Sequence, residues 1–217
     1  MSFRAIDPDT GLVQSVGWFH EHRKKTGLCE VCSMDMSIRA DASISTTVHF
    51  WHGIGSLCPS IKKNRRKYED LPVRAVDPNA GKLLRAEVRE NAYLIYSACS
   101  AIVDGMKWDS FKGVVERATE KGIWDYKGLT LRYVPYLLVT FEDMFYSKGS
   151  KLRDERFYIV LESGLEFLDD LWNKPSEIKQ NVWKVSPDKG VIDIVEIKKY
   201  LDPEPNWFRS AKKNLKV

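Results

Sequence analysis

No stretch of this chain is apolar for about 18 residues, the length that reads as a membrane-spanning helix. Its opening, MSFRAIDPDTG, lacks the apolar core of a secretory signal and the Arg- and Ser-rich character of an amphipathic leader. A cytoplasmic protein without membrane association is therefore expected. There is no glycine-rich phosphate loop, and the Glu162-Ser163-Gly164 stretch has no histidine placed to activate its serine. Histidine and cysteine are both scarce, at four each. Their distribution is accordingly informative: two histidines and one cysteine fall in the single stretch His49-Phe-Trp-His-Gly-Ile-Gly-Ser-Leu-Cys58.

What is present argues for a folded protein. The 217 residues are 43% hydrophobic and 12% aromatic, enough for a core, and the length suits a small module followed by a medium domain. The fold class expected is α+β: a small β-rich, zinc-ribbon-like module over residues 1–72, including a basic linker, then a helix-rich α+β domain over 73–217. Net charge is +4, so its clustering, rather than its size, bears on partners.

Asp-Pro-Asp-x-Gly within RAIDPDTGLVQSV predicts a hairpin turn, because proline presets the turn dihedral and glycine accepts positive φ. A near copy, RAVDPNAGKLL, spans Arg74 to Leu84, where the same turn leads into a helix. Residues 28–58 carry short β-prone pieces without helical period. Leu84, Val88, Ala92, Ile95, Cys99 and Ile102 then recur at helical spacing, predicting one helix that ends near Asp104. Cys99 sits on its apolar stripe as a small buried hydrophobe. A second helix is expected from Asp109, as N-cap, to Gly122. LTLRYVPYLLVTFEDMFY has the β-branched and aromatic content of a strand but the length of a buried helix interrupted at Pro135, and the helix is the preferred reading. Downstream, RFYIVLES and VWKVS read as strands, GLEFLDDLW as a short helix, and VIDIVEIKKYL as a strand or a strand-to-helix element. Trp207 and Phe208 stand out in a polar, basic tail.

Cys29-Glu-Val-Cys32 has the spacing that lets a tight turn aim two thiolates at one ion, and tetrahedral Zn²⁺ needs two ligands more. His49, His52 and Cys58 compete for those places. Residues three apart on a strand face opposite sides, so His49 and His52 do not both reach one metal unless the chain turns between them. Gly53 and Gly55 suit a turn just after His52. The preferred set is Cys29, Cys32, His52 and Cys58, in the spacing Cys-x2-Cys-x19-His-x5-Cys, with His49 in reserve as a packed or supporting imidazole. A redox Cys-x-x-Cys would call for a βαβ context that is missing here.

The order RAIDPDTGLV, then CEVC, then HFWH followed by Cys58 resembles the N-terminal zinc-ribbon-type region of competence CoiA-like proteins and of related zinc-ribbon proteins of phages and mobile elements. The resemblance covers about residues 1–60. It implies the same ligand role for Cys29, Cys32, His52 and Cys58, and a mobile-element or defence-related setting. The downstream nuclease region of those proteins is not evident in this sequence.

Arg23, Lys24 and Lys25 precede the proposed site, and Lys62, Lys63, Arg65, Arg66 and Lys67 follow it. Metal binding would bring these cations together, favouring sequence-independent contact with the phosphates of DNA or RNA. Trp18, Phe19, Trp51 and Tyr68 are available to stack on bases or to form the module's core. His20 and His22 read as a solvated loop or a further nucleic-acid contact. One enzyme-like pattern, Asp188 with Glu196 and Lys198, resembles a PD-(D/E)xK nuclease arrangement in which two acids hold Mg²⁺ and lysine stabilises charge. Its spacing is short, and Asp-Lys-Gly is also an ordinary turn. The expectation is a non-enzymatic zinc protein that contacts nucleic acid and has a protein partner. The alternatives are a protein-binding inhibitor or complex subunit whose zinc serves folding alone, and the metal-dependent nuclease.

Overall fold

The computed structural model describes residues 2–39, 47–61, 64, 68–146, 154–161, 165–175, 179–203 and 205. The cations Lys62, Lys63, Arg65, Arg66 and Lys67, the Glu162-Ser163-Gly164 stretch, and Trp207 and Phe208 lie outside the described residues.

The chain begins with the expected hairpin. Strands β1 (Arg4–Ile6) and β2 (Val13–Ser15) pair antiparallel. Their turn is closed by the Asp7 N–H donating to the Leu12 carbonyl at 2.8 Å, with Gly11 at φ +71°. Helix α1 (Val16–Glu21) follows at once, where the sequence suggested a loop around His20 and His22. Ser15 caps it by accepting the Trp18 N–H at 3.2 Å, and Phe19, fully buried, anchors it. One cap and one large apolar side chain are enough to hold so short a helix against a sheet.

Strands β3 (Thr26–Leu28), β4 (Asp35–Arg39) and β5 (His49–His52) complete an antiparallel five-stranded sheet in the order β2-β1-β3-β4-β5. Ser2, just before β1, exchanges backbone hydrogen bonds with Phe50 in β5. The sheet thus curls until its first and last segments meet. Phe19 and Phe50 pack edge to face inside the curl, 5.0 Å between ring centroids, beside Ala5 and Met36. Gly27 is required by this closeness: a Cβ there would lie 2.8 Å from both the Ala5 Cβ and the Phe19 ring.

Beyond residue 72 the fold turns helical. Asp77 caps α2 (Pro78–Glu90) by accepting the N–H groups of Asn79 and Ala80, and Pro78 sits in the first turn, where its missing N–H costs nothing. The single helix expected to run on to Asp104 is instead two. The chain breaks at Asn91, whose side-chain amide bonds the Glu87 carbonyl at 2.9 Å, and α3 (Ala92–Ile102) begins anew. Cys99 is fully buried on α3, as expected. Helix α4 (Trp108–Glu120) starts one residue before Asp109, which pairs with Lys112 rather than capping. Gly122, at φ +68°, follows its end. Pro135 opens α5 (Val134–Thr140) rather than interrupting it, and every residue of that helix is buried.

Strand β6 (Tyr158–Val160), helix α6 (Asp170–Asn173), and strands β7 (Asn181–Ser186) and β8 (Gly190–Glu196) complete the α+β architecture, with an antiparallel sheet ordered β6-β7-β8. Among the described residues no helix is long and apolar enough to cross a membrane. Specific bonds join the early and late segments. The Tyr158 hydroxyl donates to the Ser60 carbonyl at 2.8 Å, and the Tyr68 hydroxyl accepts the Leu161 N–H at 2.9 Å. Phe19, Phe50 and Tyr68 belong to the same buried cluster as α3 and α5.

Overpacking the curl should be costly. Gly27→Ala is expected to destabilise the protein by about 1–3 kcal/mol. Gly113→Ala, in a helix with open space at its Cβ position, should stabilise by about 0.5–1 kcal/mol. Chemical denaturation of the two variants against wild type measures both.

Candidate metal centre

The turn from β3 to β4 is built to converge two thiols. Cys29 N–H donates to the Met34 carbonyl at 2.9 Å, Ser33 N–H returns to the Cys29 carbonyl at 2.9 Å, and Val31 N–H points at the Cys29 sulfur, 3.4 Å away. Ser33 takes positive φ, +57°, to let the chain leave the turn. Val31 is fully buried beneath it. Glu30 is also buried, and Arg4 of β1 grips its carboxylate with two bonds, of 2.8 and 3.0 Å. Burial pushes the Glu30 carboxyl up, against the pull of Arg4.

The other pair comes from the end of β5 and the loop after it. His52 is the last residue of the strand. The chain then turns, with Ser56 N–H donating to the Gly53 carbonyl at 3.2 Å and Gly55 at φ +83°. Cys58 returns to the site. Its N–H donates to the Ser56 hydroxyl at 3.3 Å, its carbonyl accepts the Ile61 N–H at 3.0 Å, and the Asn64 amide bonds the Ser56 carbonyl.

The ligand atoms of Cys29, Cys32, His52 and Cys58 all lie within 4.8 Å of one another. Cys29 Sγ is 3.8 Å from Cys58 Sγ, and Cys32 Sγ is 3.5 Å from His52 Nε2. A tetrahedron with metal–sulfur bonds of about 2.3 Å and a metal–nitrogen bond of about 2.0–2.1 Å has edges near ~3.8 and ~3.6 Å. The separation of the cysteine sulfurs is far beyond the roughly 2.05 Å of a disulfide, and all the cysteines are free. The cluster can hold a metal ion.

Protons already show the pull of this arrangement. Hydrogen bonds with Cys32 and Cys58, together with burial, push the Cys29 thiol up. The bonds from Cys29 and Cys32, with His52 adding to them, hold Cys58 down. Burial opposes a charged His52, but Cys32 and Cys58 outweigh it and raise the imidazole to about 9. Cys58 is thus drawn toward the thiolate and His52 toward the imidazolium, opposite charges set side by side. A divalent cation can take over that compensating role, displacing protons from sulfur and nitrogen alike.

His49 lies outside the cluster. In register it faces Arg39, while His52 faces Met36, so the two imidazoles project to opposite sides of β5. Its Nδ1 lies 2.8 Å from the Thr47 carbonyl. The other candidate residues disperse. Asp188 sits in the turn between β7 and β8, held by Arg156 at 3.1 Å, whereas Glu196 is at the far end of β8, opposite Asn181. Lys198 pairs with Asp202 at 2.6 Å. The length of an antiparallel hairpin therefore separates the two acids, and the Mg²⁺-binding arrangement read from their spacing is not assembled. Arg23 and Lys25 are exposed in the connection from α1 to β3, but Lys24 is engaged by the buried Asp7 and by Asp9. The Lys24 hydrogen bond holds the Asp7 carboxyl below its usual range.

The Arg4–Glu30 clamp was missed by sequence reasoning, although a signal existed. In the second copy of the turn motif Arg74 likewise grips a buried carboxylate, that of Asp170, at 2.7 Å. Each recurrence pairs an arginine that anchors a distant acid with an aspartate that organises the following turn or helix.

Cys29→Ser or Cys58→Ser should abolish stoichiometric metal binding, whereas His49→Gln should leave the stoichiometry unchanged; elemental analysis of purified variants distinguishes them. Acidification from about pH 8 to roughly pH 5 should release bound metal, because protons compete for thiolate and imidazole, as a chromogenic chelator would record. Comparison with protein-family models, with curated proteins and with solved structures finds no match to this chain.

Proposed function

We propose that this chain is a non-enzymatic zinc protein whose metal holds an N-terminal nucleic-acid-contacting module in shape. The supporting observation is the convergence of one imidazole and three thiols, from two separate parts of the chain, to within 4.8 Å of one another. Thiolate-rich N/S sets favour zinc over harder cations. A site with four protein ligands leaves no open position for substrate, which is the pattern of structural rather than catalytic zinc.

The nucleic-acid part of the reading rests on charge next to that centre. Arg23 and Lys25 lead into β3, which ends at the Cys29 knuckle, and the run from Lys62 to Lys67 begins four residues after Cys58. Contacts of this kind are read by phosphate rather than by sequence. The resemblance to CoiA-like and mobile-element proteins supports a place in a larger mobile-element or defence-related assembly.

A second reading, docking on a protein partner with the zinc serving folding alone, is favoured by one observation. The two metal-bearing loops carry exposed apolar side chains: Met34 at 65%, Ile54 at 97% and Leu57 at 81% exposure.

Purified protein should contain one zinc per chain and bind DNA or RNA at low salt, with log affinity falling linearly against log salt. Reversing the charges of Lys62, Lys63, Arg65 and Arg66 should weaken binding at least about tenfold, since every phosphate left without its cation keeps its condensed counterions. A zinc-loaded protein that binds neither DNA nor RNA at low salt would sink the nucleic-acid reading in favour of protein docking.

A further inference from the structure

Beside the metal centre, between the β5 edge and the β7–β8 hairpin, lies a cavity of about 220 Å³. Met36, Phe50, Trp51, Tyr158 and Val191 are among its lining residues, together with Cys29 and His52 of the metal cluster. Its walls carry little polarity that is free to act. Glu30 lines it, but Arg4 neutralises its carboxylate through both oxygens. The Tyr158 hydroxyl is spent on the Ser60 carbonyl.

His49 is different. It is one of the residues lining the cavity at the β5 edge and is only 9% exposed, yet its ring makes a single hydrogen bond among the described residues, from Nδ1 to the Thr47 carbonyl. A carbonyl can only accept, so Nδ1 donates, and in the neutral ring Nε2 is then the acceptor. The backbone bond also fixes the ring's orientation. The site therefore offers aromatic and aliphatic lining, no uncompensated charge, the hydroxyls of Ser2 and Ser60, already engaged with the Arg4 carbonyl and the Cys58 sulfur, and in His49 one preorganised acceptor. Such a lining suits a flat, neutral group that brings its own N–H donor.

A cation stands next to it. Arg39 faces His49 across the β4–β5 ladder, and its guanidinium lies 4.4 Å from the centroid of the Trp51 ring. Arg39 is exposed and forms no ion pair among the described residues.

We propose that this cavity receives one unpaired base of a single-stranded nucleic acid, with His49 Nε2 accepting an N–H of the base and Arg39 contacting the adjoining phosphate. The proposal rests on the nucleic-acid reading above and narrows it to single strands. A paired base hides its N–H donors in the duplex and cannot enter a recess of this kind without leaving the stack, whereas an unpaired base is free to do so.

The test uses the zinc-loaded full chain and a short single-stranded DNA carrying one 2-aminopurine, with the same strand in a duplex as comparison. The single strand should bind at least tenfold more tightly than the duplex, and 2-aminopurine emission should change on binding. His49→Phe, which removes the acceptor, and Val191→Trp, which fills the recess, should each weaken single-strand binding about tenfold or more. Arg39→Glu should weaken binding and flatten its salt dependence. Zinc content and thermal unfolding certify that each variant is folded, and Val191→Trp stands in for His49→Phe if the latter does not fold. Equal affinity for single strand and duplex, or wild-type binding by a folded cavity variant, would overturn the proposal. If charge reversal at Lys62, Lys63, Arg65 and Arg66 abolishes binding while the cavity variants bind normally, the nucleic-acid reading stands and the base-binding cavity does not. If wild type binds neither strand form, both fail.

Discussion

Three thiols and an imidazole brought within bonding range of one point cannot all keep their ordinary protonation. Cys29, Cys32 and Cys58 place sulfur against sulfur, and the site compensates by raising His52 and lowering Cys58. A divalent cation at the centre resolves the same tension, and the local backbone is arranged around that possibility. The β3–β4 knuckle spends an N–H on the Cys29 sulfur. Ser60 holds its hydroxyl 3.0 Å from the Cys58 sulfur. Small sheets bury too little apolar surface to be secure on their own. A metal ion held by the four residues would give the curled sheet around Phe19 and Phe50 a cross-link between two of its loops.

Two other constraints act on the same loops. Arg4 fastens the knuckle to β1 through the buried Glu30, and the Ser2–Phe50 exchange closes the sheet just ahead of the same strand. The later segments then lean on this frame through Tyr158, Tyr68 and Lys179, whose ammonium reaches the Ser33 hydroxyl at 2.7 Å. The metal loops are consequently held from both sides, by the sheet that carries them and by the segments around β6 and before β7. The cavity lined by His49 and Trp51 exists because these two parts meet without filling the space between the β5 edge and the β7–β8 turn.

Much of this was legible in the sequence where local chemistry decides. Cys-x-x-Cys, the glycines after His52 and the two-residue period of β5 sufficed to separate His52 from His49. The Asp-Pro turns announced the first hairpin and the approach to a helix, since turn formation depends on neighbours in the chain. What escaped depended on long-range contacts. The break at Asn91 splits an apolar period that looks continuous. Helix α1 exists because Phe19 finds a place between sheet residues that are distant in sequence. The separation of Asp188 from Glu196 follows from a hairpin whose direction no spacing rule supplies. Pro135 shows the same limit from the other side: proline marks a discontinuity, but only the packing shows that a helix begins there.

The central claim is that Cys29, Cys32, His52 and Cys58 form one zinc site, and the coordination shell of the metal tests it most directly. X-ray absorption at the zinc edge of the purified protein should show three sulfur neighbours at about 2.3 Å and one nitrogen at about 2.0–2.1 Å. A shell of oxygen and nitrogen alone, or a protein that holds no zinc after purification without chelators, would contradict it.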